Sequence, residues 1–331
     1  MDPLTADPQA VSLKKVILLK PRGFCAGVVR AVDVVKLTLE FYPAPVYVLH
    51  EIVHNKHVVQ ELRGSGAIFV DEVDEVPVGA RIIFSAHGVS PAVRQQAKDR
   101  KLNVIDATCP LVTKVHMEAI RFAKQDYSIV LIGHRHHEGT VGTMGEAPDH
   151  MHLVSDVEDV DGLTLPDESK VVYLTQTTLS LDETRDIIIR LKERFPAIIG
   201  PPSQDICYAT ENRQLAVKAV APICDLLLVV GSQNSSNSKR LVEVCENGGV
   251  PSHLVDDASE IKPEWLVGTK TVSITAGASA PEVLVQGVIQ RLREEFDFNS
   301  LEEMELKEED VRFNLPPELK IFTPKLQTVA N

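Results

Sequence analysis

The feature that most constrains this chain is a threefold recurrence. Cys25 in KPRGFCAGVVRAV, Cys109 in NVIDATCPLVTKV and Cys207 in PPSQDICYATENRQLAV stand in stretches that resemble one another. Each cysteine follows a run that reads as a buried strand and opens a run with apolar residues at helical spacing. The recurrence extends beyond the cysteines. An apolar strand ending in a polar loop comes next, carrying His54 29 positions after Cys25, His137 28 after Cys109 and Asn237 30 after Cys207. A third strand follows in each repeat, with His87 in RIIFSAHGVSP, Thr177 in VVYLTQTTLSL and Ser279 in TVSITAGASAP. Pro91, Glu183 or Pro281 then enters the first turn of another helix, where such residues are favoured.

Short strands rich in Val, Ile and Leu, alternating with helices, predict an α/β fold with mostly parallel sheets. The spacing predicts helices over 28–41, 56–64, 91–100, 112–125, 182–194, 211–221, 238–247 and 281–296. Residues 1–14 read as a leader and 15–103, 104–202 and 203–297 as three α/β units. Residues 298–331 read as a tail packing on the body, its acidic run EEMELKEED a solvated face. Right-handed crossovers put all the polar loops at the carboxyl edges of the sheets, so three such edges facing one another enclose a single pocket.

Three thiolates at one centre are the number that leaves a four-iron cluster, or a zinc, with an open coordination position. No Cys-x-x-Cys pair occurs, which argues against a zinc ribbon, and ligands scattered along the chain favour a cluster. Cys224 and Cys245 do not repeat and read as small buried hydrophobes. Histidines at 54, 87 and 137 can donate hydrogen bonds to a phosphate or complete a metal shell. Ser235, Ser236 and Asn237 follow the strand LLLVVGSQ at a helix start, as phosphate loops do, and Ser279 precedes another helix. Thr177 reads as an N-cap or a short hydroxyl relay.

The formal charge of −13 and an aromatic content of 5% argue against a nucleic-acid surface, which needs a basic stripe and stacking platforms. Five cysteines without paired spacing fit a reducing cytoplasm better than a disulfide framework. No apolar run reaches the length of a membrane span, so a soluble, cytoplasmic protein without a membrane partner is expected.

PRGFCAGVVRAV, HEIVHNKHVV, FSAHGVSP, DATCPLVTKVH, LTQTTLS, DICYATENRQ, GSQNSSNSKRL and TAGASAP together resemble the signature segments of the LytB-type 4-hydroxy-3-methylbut-2-enyl diphosphate reductases, over about residues 16–290. The resemblance implies three pseudo-repeated α/β domains in a trefoil around a [4Fe–4S] cluster held by Cys25, Cys109 and Cys207. It implies diphosphate contacts from His54, His87, His137, Ser235, Ser236, Asn237 and Ser279, with Thr177 catalytic. It also implies reductive removal of an allylic hydroxyl, giving isopentenyl and dimethylallyl diphosphate, with electrons from a flavodoxin- or ferredoxin-type donor. The chain departs from the family pattern at one point. A glutamate usual two residues after the third histidine is here Gly139, in GHRHHEGTVGT. The adjacent Glu138, through a loop adjustment, or a water held by Thr177 is expected to relay protons instead. Other chemistries of an open iron, in hydro-lyases or quinolinate-synthase-like enzymes, consume no electrons. A metal or redox sensor built on three cysteines would have no use for the diphosphate cradle.

Overall fold

A computed structural model describes residues 14–320 and 322, so most of the expected leader lies outside the described residues. From the amino end run β1 (Lys15–Lys20), α1 (Ala26–Phe41), β2 (Val46–Leu49), α2 (Lys56–Gly64), β3 (Ala67–Val70), β4 (Arg81–Phe84), α3 (Pro91–Asp99) and β5 (Asn103–Asp106). Next come α4 (Pro110–Ala123), β6 (Ser128–Ile132), α5 (Glu138–Met144), β7 (Met151–Val154), α6 (Val157–Gly162), β8 (Val171–Thr175) and α7 (Leu181–Arg194). The last third holds α8 (Tyr208–Val220), β9 (Leu226–Val230), α9 (Ser236–Asn247), β10 (Ser252–Val255), β11 (Thr271–Ala276), α10 (Glu282–Phe296), β12 (Ser300–Glu305) and α11 (Pro317–Lys320). No helix among the described residues is long and apolar enough to cross a membrane.

The strands form three sheets, ordered β3-β2-β4-β5, β7-β6-β8 and β10-β9-β11-β1-β12. Every pairing among the described residues is parallel. The central strands β6 and β9 are buried at every residue, which accounts for their unbroken apolar sequences SIVLI and LLLVV. Polar caps fix where several helices begin. Asn55 accepts the His57 and Val58 N–H groups ahead of α2, and Ser90, Ser180 and Ser235 do the same for α3, α7 and α9.

The sheets are offset from the expected unit boundaries by one strand. β1, expected in the first unit, lies between β11 and β12 of the last sheet. β5 leads to Cys109 yet pairs with β4 of the first sheet, and Ile199, upstream of Cys207, bridges to Val172 of β8. Each strand that delivers a cysteine therefore belongs to the sheet before it.

Residues 298–320 of the expected tail are among those described. β12 extends the last sheet beside β1, and its acidic residues stay largely exposed on this edge strand. The acidic run is not wholly solvated, because Glu309 reaches inward. It lies 3.0 Å from Arg213, a fully buried guanidinium that also donates to the Gly23 and Ala209 carbonyls. Breaking a buried pair strands its partner charge. We expect Arg213→Met to lower stability by about 3–5 kcal/mol in urea denaturation, with Glu309→Gln costing less because Glu309 reaches solvent.

Candidate functional site

The three cysteines are each the residue before a helix, at α1, α4 and α8. Their backbone N–H groups are held alike. Cys25 donates to Ala278 O at 3.1 Å, Cys109 to Ala86 O at 3.0 Å and Cys207 to Thr177 O at 3.0 Å. Each acceptor lies in the loop after the third strand of the preceding repeat, so neighbouring strands in one sheet deliver both a cysteine and a polar loop.

The loops enclose a cavity of about 110 Å³. Its wall carries all three cysteines, His54, His87, His137, Thr177, Ser235, Ser236, Asn237 and Ser279, so the structure brings together the residues singled out in sequence, except Glu138. The Glu138 carboxylate lies 2.9 Å from His87 Nδ1 and 3.7 Å from His50 Nδ1, drawn toward two imidazoles of the first repeat. Thr178, Thr210 and Gly27 line the cavity as well and had no repeated signal in the sequence. Two of them touch site residues, since Thr210 contacts the Cys207 sulfur through its N–H and hydroxyl, and Thr178 donates to Ser236 Oγ.

Gly27 explains how two of the sulfurs come close. A Cβ there would lie 2.7 Å from Cys109 Sγ and 3.8 Å from Cys25 Sγ, so both sulfurs flank one bare spot on α1. Burial, then the neighbouring Cys207, pushes the Cys25 thiol up, and burial pushes that of Cys109 to about 12. Such thiols are poor nucleophiles, whereas a cationic centre held among them would favour their ionisation. Cys224 and Cys245 pack together in the core beneath α8 and α9, away from the cavity.

The three histidines form a second wall. His54 and His87 stack, with ring centroids 3.9 Å apart and planes at 19°, and His137 meets both edge-on. His137 Nδ1 accepts the Gly139 N–H at 3.1 Å, so the neutral ring carries its proton on Nε2. Burial first, then His87 and His54, lower its pKa to about 3. Burial also lowers that of His87, with the Glu138 carboxylate opposing. Burial raises Glu138 toward neutrality, but His50 and His87 outweigh it and hold this carboxyl well below its usual range.

On the facing loop, Ser235 Oγ accepts from Ser238, and Ser279 Oγ donates to His54 O at 2.8 Å. Asn237, only 4% exposed, has no partner among the described residues for either side-chain polar atom. A buried amide left unpaired at a cavity wall calls for a polar ligand. Among the described residues, no lysine or arginine lines the cavity. An anion here would be held by imidazoles, hydroxyls, an amide and the amino end of α9.

Residues 16–293 match the family model described as LytB protein. A protein of Mycolicibacterium paratuberculosis named 4-hydroxy-3-methylbut-2-enyl diphosphate reductase is 59% identical over 308 residues, covering 93% of this chain and 92% of its own length. A like-named protein of Rhodococcus jostii is also 59% identical over 308 residues, covering 93% of this chain and 91% of its own. Among solved structures, the E-1-hydroxy-2-methyl-but-2-enyl-4-diphosphate reductase of Plasmodium falciparum superposes with a TM-score of 0.92 at 40% identity, covering 95% of this chain and 99% of its own. A second, described as the terminal enzyme of the non-mevalonate pathway, does so with 0.60 at 30% identity, covering 85% of this chain and all of its own.

The depressed His137 has a consequence for stability. Below its ordinary value of 6.5 the unfolded chain takes up a proton that the folded chain refuses until about pH 3. Stability is therefore lost as pH falls through that window. Replacing His137 by Asn should make the decline shallower, by up to about 1.4 kcal/mol per pH unit, as measured by denaturant titrations at several pH values.

Proposed function

The chain belongs to the LytB protein family, and from that premise we propose that it reductively dehydroxylates 4-hydroxy-3-methylbut-2-enyl diphosphate to isopentenyl and dimethylallyl diphosphate. The observation that carries this reading is the joining, in one cavity, of three cysteine sulfurs and an anion cradle ending in the unpaired Asn237 amide. In the reaction a C–O bond breaks and a C–H bond forms. Two electrons and two protons are consumed and water leaves. A flavodoxin- or ferredoxin-type protein would supply the electrons.

The donor set fits a [4Fe–4S] cluster. The sulfurs of Cys25 and Cys109 share the bare face of Gly27, Cys207 completes the set, and the two remaining cysteines pack elsewhere. Cys25, Cys109 and Cys207 would hold the cluster, which supplies single electrons and a Lewis-acidic iron open to an oxygen ligand when bound.

The rest falls to the chain. His54, His87 and His137, with Ser235, Ser236, Asn237 and Ser279, bind the diphosphate and so place the allylic end toward the sulfurs. His137 presents Nε2–H without a charge. The lining residues Val28, Val53, Leu111 and Val112 keep bulk water from the hydrocarbon. Position 139 offers no carboxylate and Glu138 is turned to His87, which favours the Thr177 hydroxyl, with a water it holds, as the proton relay. Neither the other chemistries of an open iron nor a sensor would consume electrons with an allylic diphosphate.

Anaerobically reconstituted protein should hold about four iron and four sulfide and oxidise two equivalents of a one-electron dye per allylic diphosphate consumed. Turnover without dye oxidation would sink the reductase reading. Gly27→Ala should fold, as judged by circular dichroism, yet lose most of its iron, since the added methyl meets the Cys109 sulfur.

A further inference from the structure

The geometry points to Glu138 and Glu51 as positioning residues that act through His87 and His54, so that the stacked imidazoles seize a diphosphate only by taking up protons. This rests on the diphosphate site proposed above.

The two rings share one arrangement. His54 Nδ1 lies 3.3 Å from Glu51 Oε2, which also accepts from the Asn234 amide at 2.7 Å. His87 Nδ1 lies 2.9 Å from Glu138 Oε2, out of line for a hydrogen bond, and 3.3 Å from its hydrogen-bond partner Ser85 Oγ. A lone pair at Nδ1 would face a carboxylate oxygen, so in both rings Nδ1 carries the proton of the neutral form. The neutral rings then have only a lone pair left at Nε2. Against a phosphate oxygen that lone pair is repulsive, so Nε2 must gain a proton before it can donate. His137 is the opposite case, because its Nδ1 is occupied by the Gly139 N–H and its Nε2–H is already present.

The charged and titratable groups facing the stack bear out this division. Glu51 comes from the loop after β2 and Glu138 from the start of α5, while His137 stands edge-on to both rings. His50 faces Glu138 through Nδ1, its Nε2 held by Asp71 O at 2.9 Å. Among these groups the two carboxylates are the anions placed to stabilise imidazolium. Glu138 also spans two repeats, reaching from the second to the rings of the first.

A metal ion is the competing occupant, since His54, His87 and Glu138 each offer a ligand atom within 4.8 Å of the others. Rings stacked 3.9 Å apart with planes at 19° keep their in-plane lone pairs in two separate, nearly parallel planes, so they do not meet at one point between them. A cation needs convergent donors. An anion lying across both ring edges does not.

The test is inorganic pyrophosphate binding to the anaerobically reconstituted enzyme, followed by calorimetry in buffers of different ionisation enthalpy. Wild type should take up protons on binding and bind more weakly as pH rises from about 6 to about 8, across the ordinary range of imidazole titration. Glu138→Gln should weaken binding at about pH 7.5 by about 10- to 100-fold, the range for a hydrogen bond to a charged group. It should take up fewer protons, by as much as one, and recover part of its affinity at the acid end of that range. Glu138→Asp should restore much of the affinity at the alkaline end. Wild-type binding without proton uptake, or a Glu138→Gln variant whose affinity is unmoved while kcat falls, would overturn the inference in favour of a direct proton relay. Tight zinc binding at this spot, lost in Glu138→Gln, would overturn it in favour of a metal site. Failure of wild type to bind pyrophosphate at all would instead strike the proposed function.

Discussion

The whole centre depends on three backbone hydrogen bonds. Each runs from a cysteine N–H to a carbonyl in the loop beside it, at Ala278, Ala86 and Thr177. Parallel pairing of β1 with β11, of β4 with β5 and of Val172 with Ile199 sets up all three. The backbone positions of the three cysteines are thus set by strand pairing. The same strand pairs project the polar loops, so the cysteines and the loop residues arrive in fixed relation. A site held to fractions of an ångström needs such support.

With no lysine or arginine lining the cavity among the described residues, a diphosphate bound there would have its charge met locally. The histidines are set up in two ways, according to what each Nδ1 faces. A backbone N–H makes His137 a neutral donor, whereas a carboxylate oxygen stands beside Nδ1 of His54 and of His87. Net charge over the surface has little bearing on this, because the rings are largely buried and respond to partners a few ångströms away.

Much of the fold and of the site was legible because the repeat announces itself three times in short-range sequence. The short α5 and α6 were not foreseen. The eight expected helices came out closely, although α1, α4, α8 and α9 begin two or three residues before their expected starts. Their first turns, such as Ala26–Gly27, face the cavity and carry no amphipathic stripe. The outer strands β3, β7 and β10 are four residues each and buried at only two of them, so periodicity passed them over. Sheet membership was hidden for a different reason. The run KVILLK states that β1 is a buried strand and says nothing of its partners. Glu51 and His50 stood in plain sight in HEIVHN, but adjacent acid and histidine look like any surface pair until the fold supplies the ring they support. Glu138 was noticed for the wrong geometry, since sequence adjacency to His137 hid its reach to His87.

The insertion of β1 between β11 and β12 bears on how the molecule is made. Among the described residues β1 is the first strand, yet both its partners, β11 and β12, are the last two. Cys25 follows directly on β1, and its N–H anchor lies in the loop after β11. The cavity wall around Cys25 is therefore complete only once residues near 280 have been made.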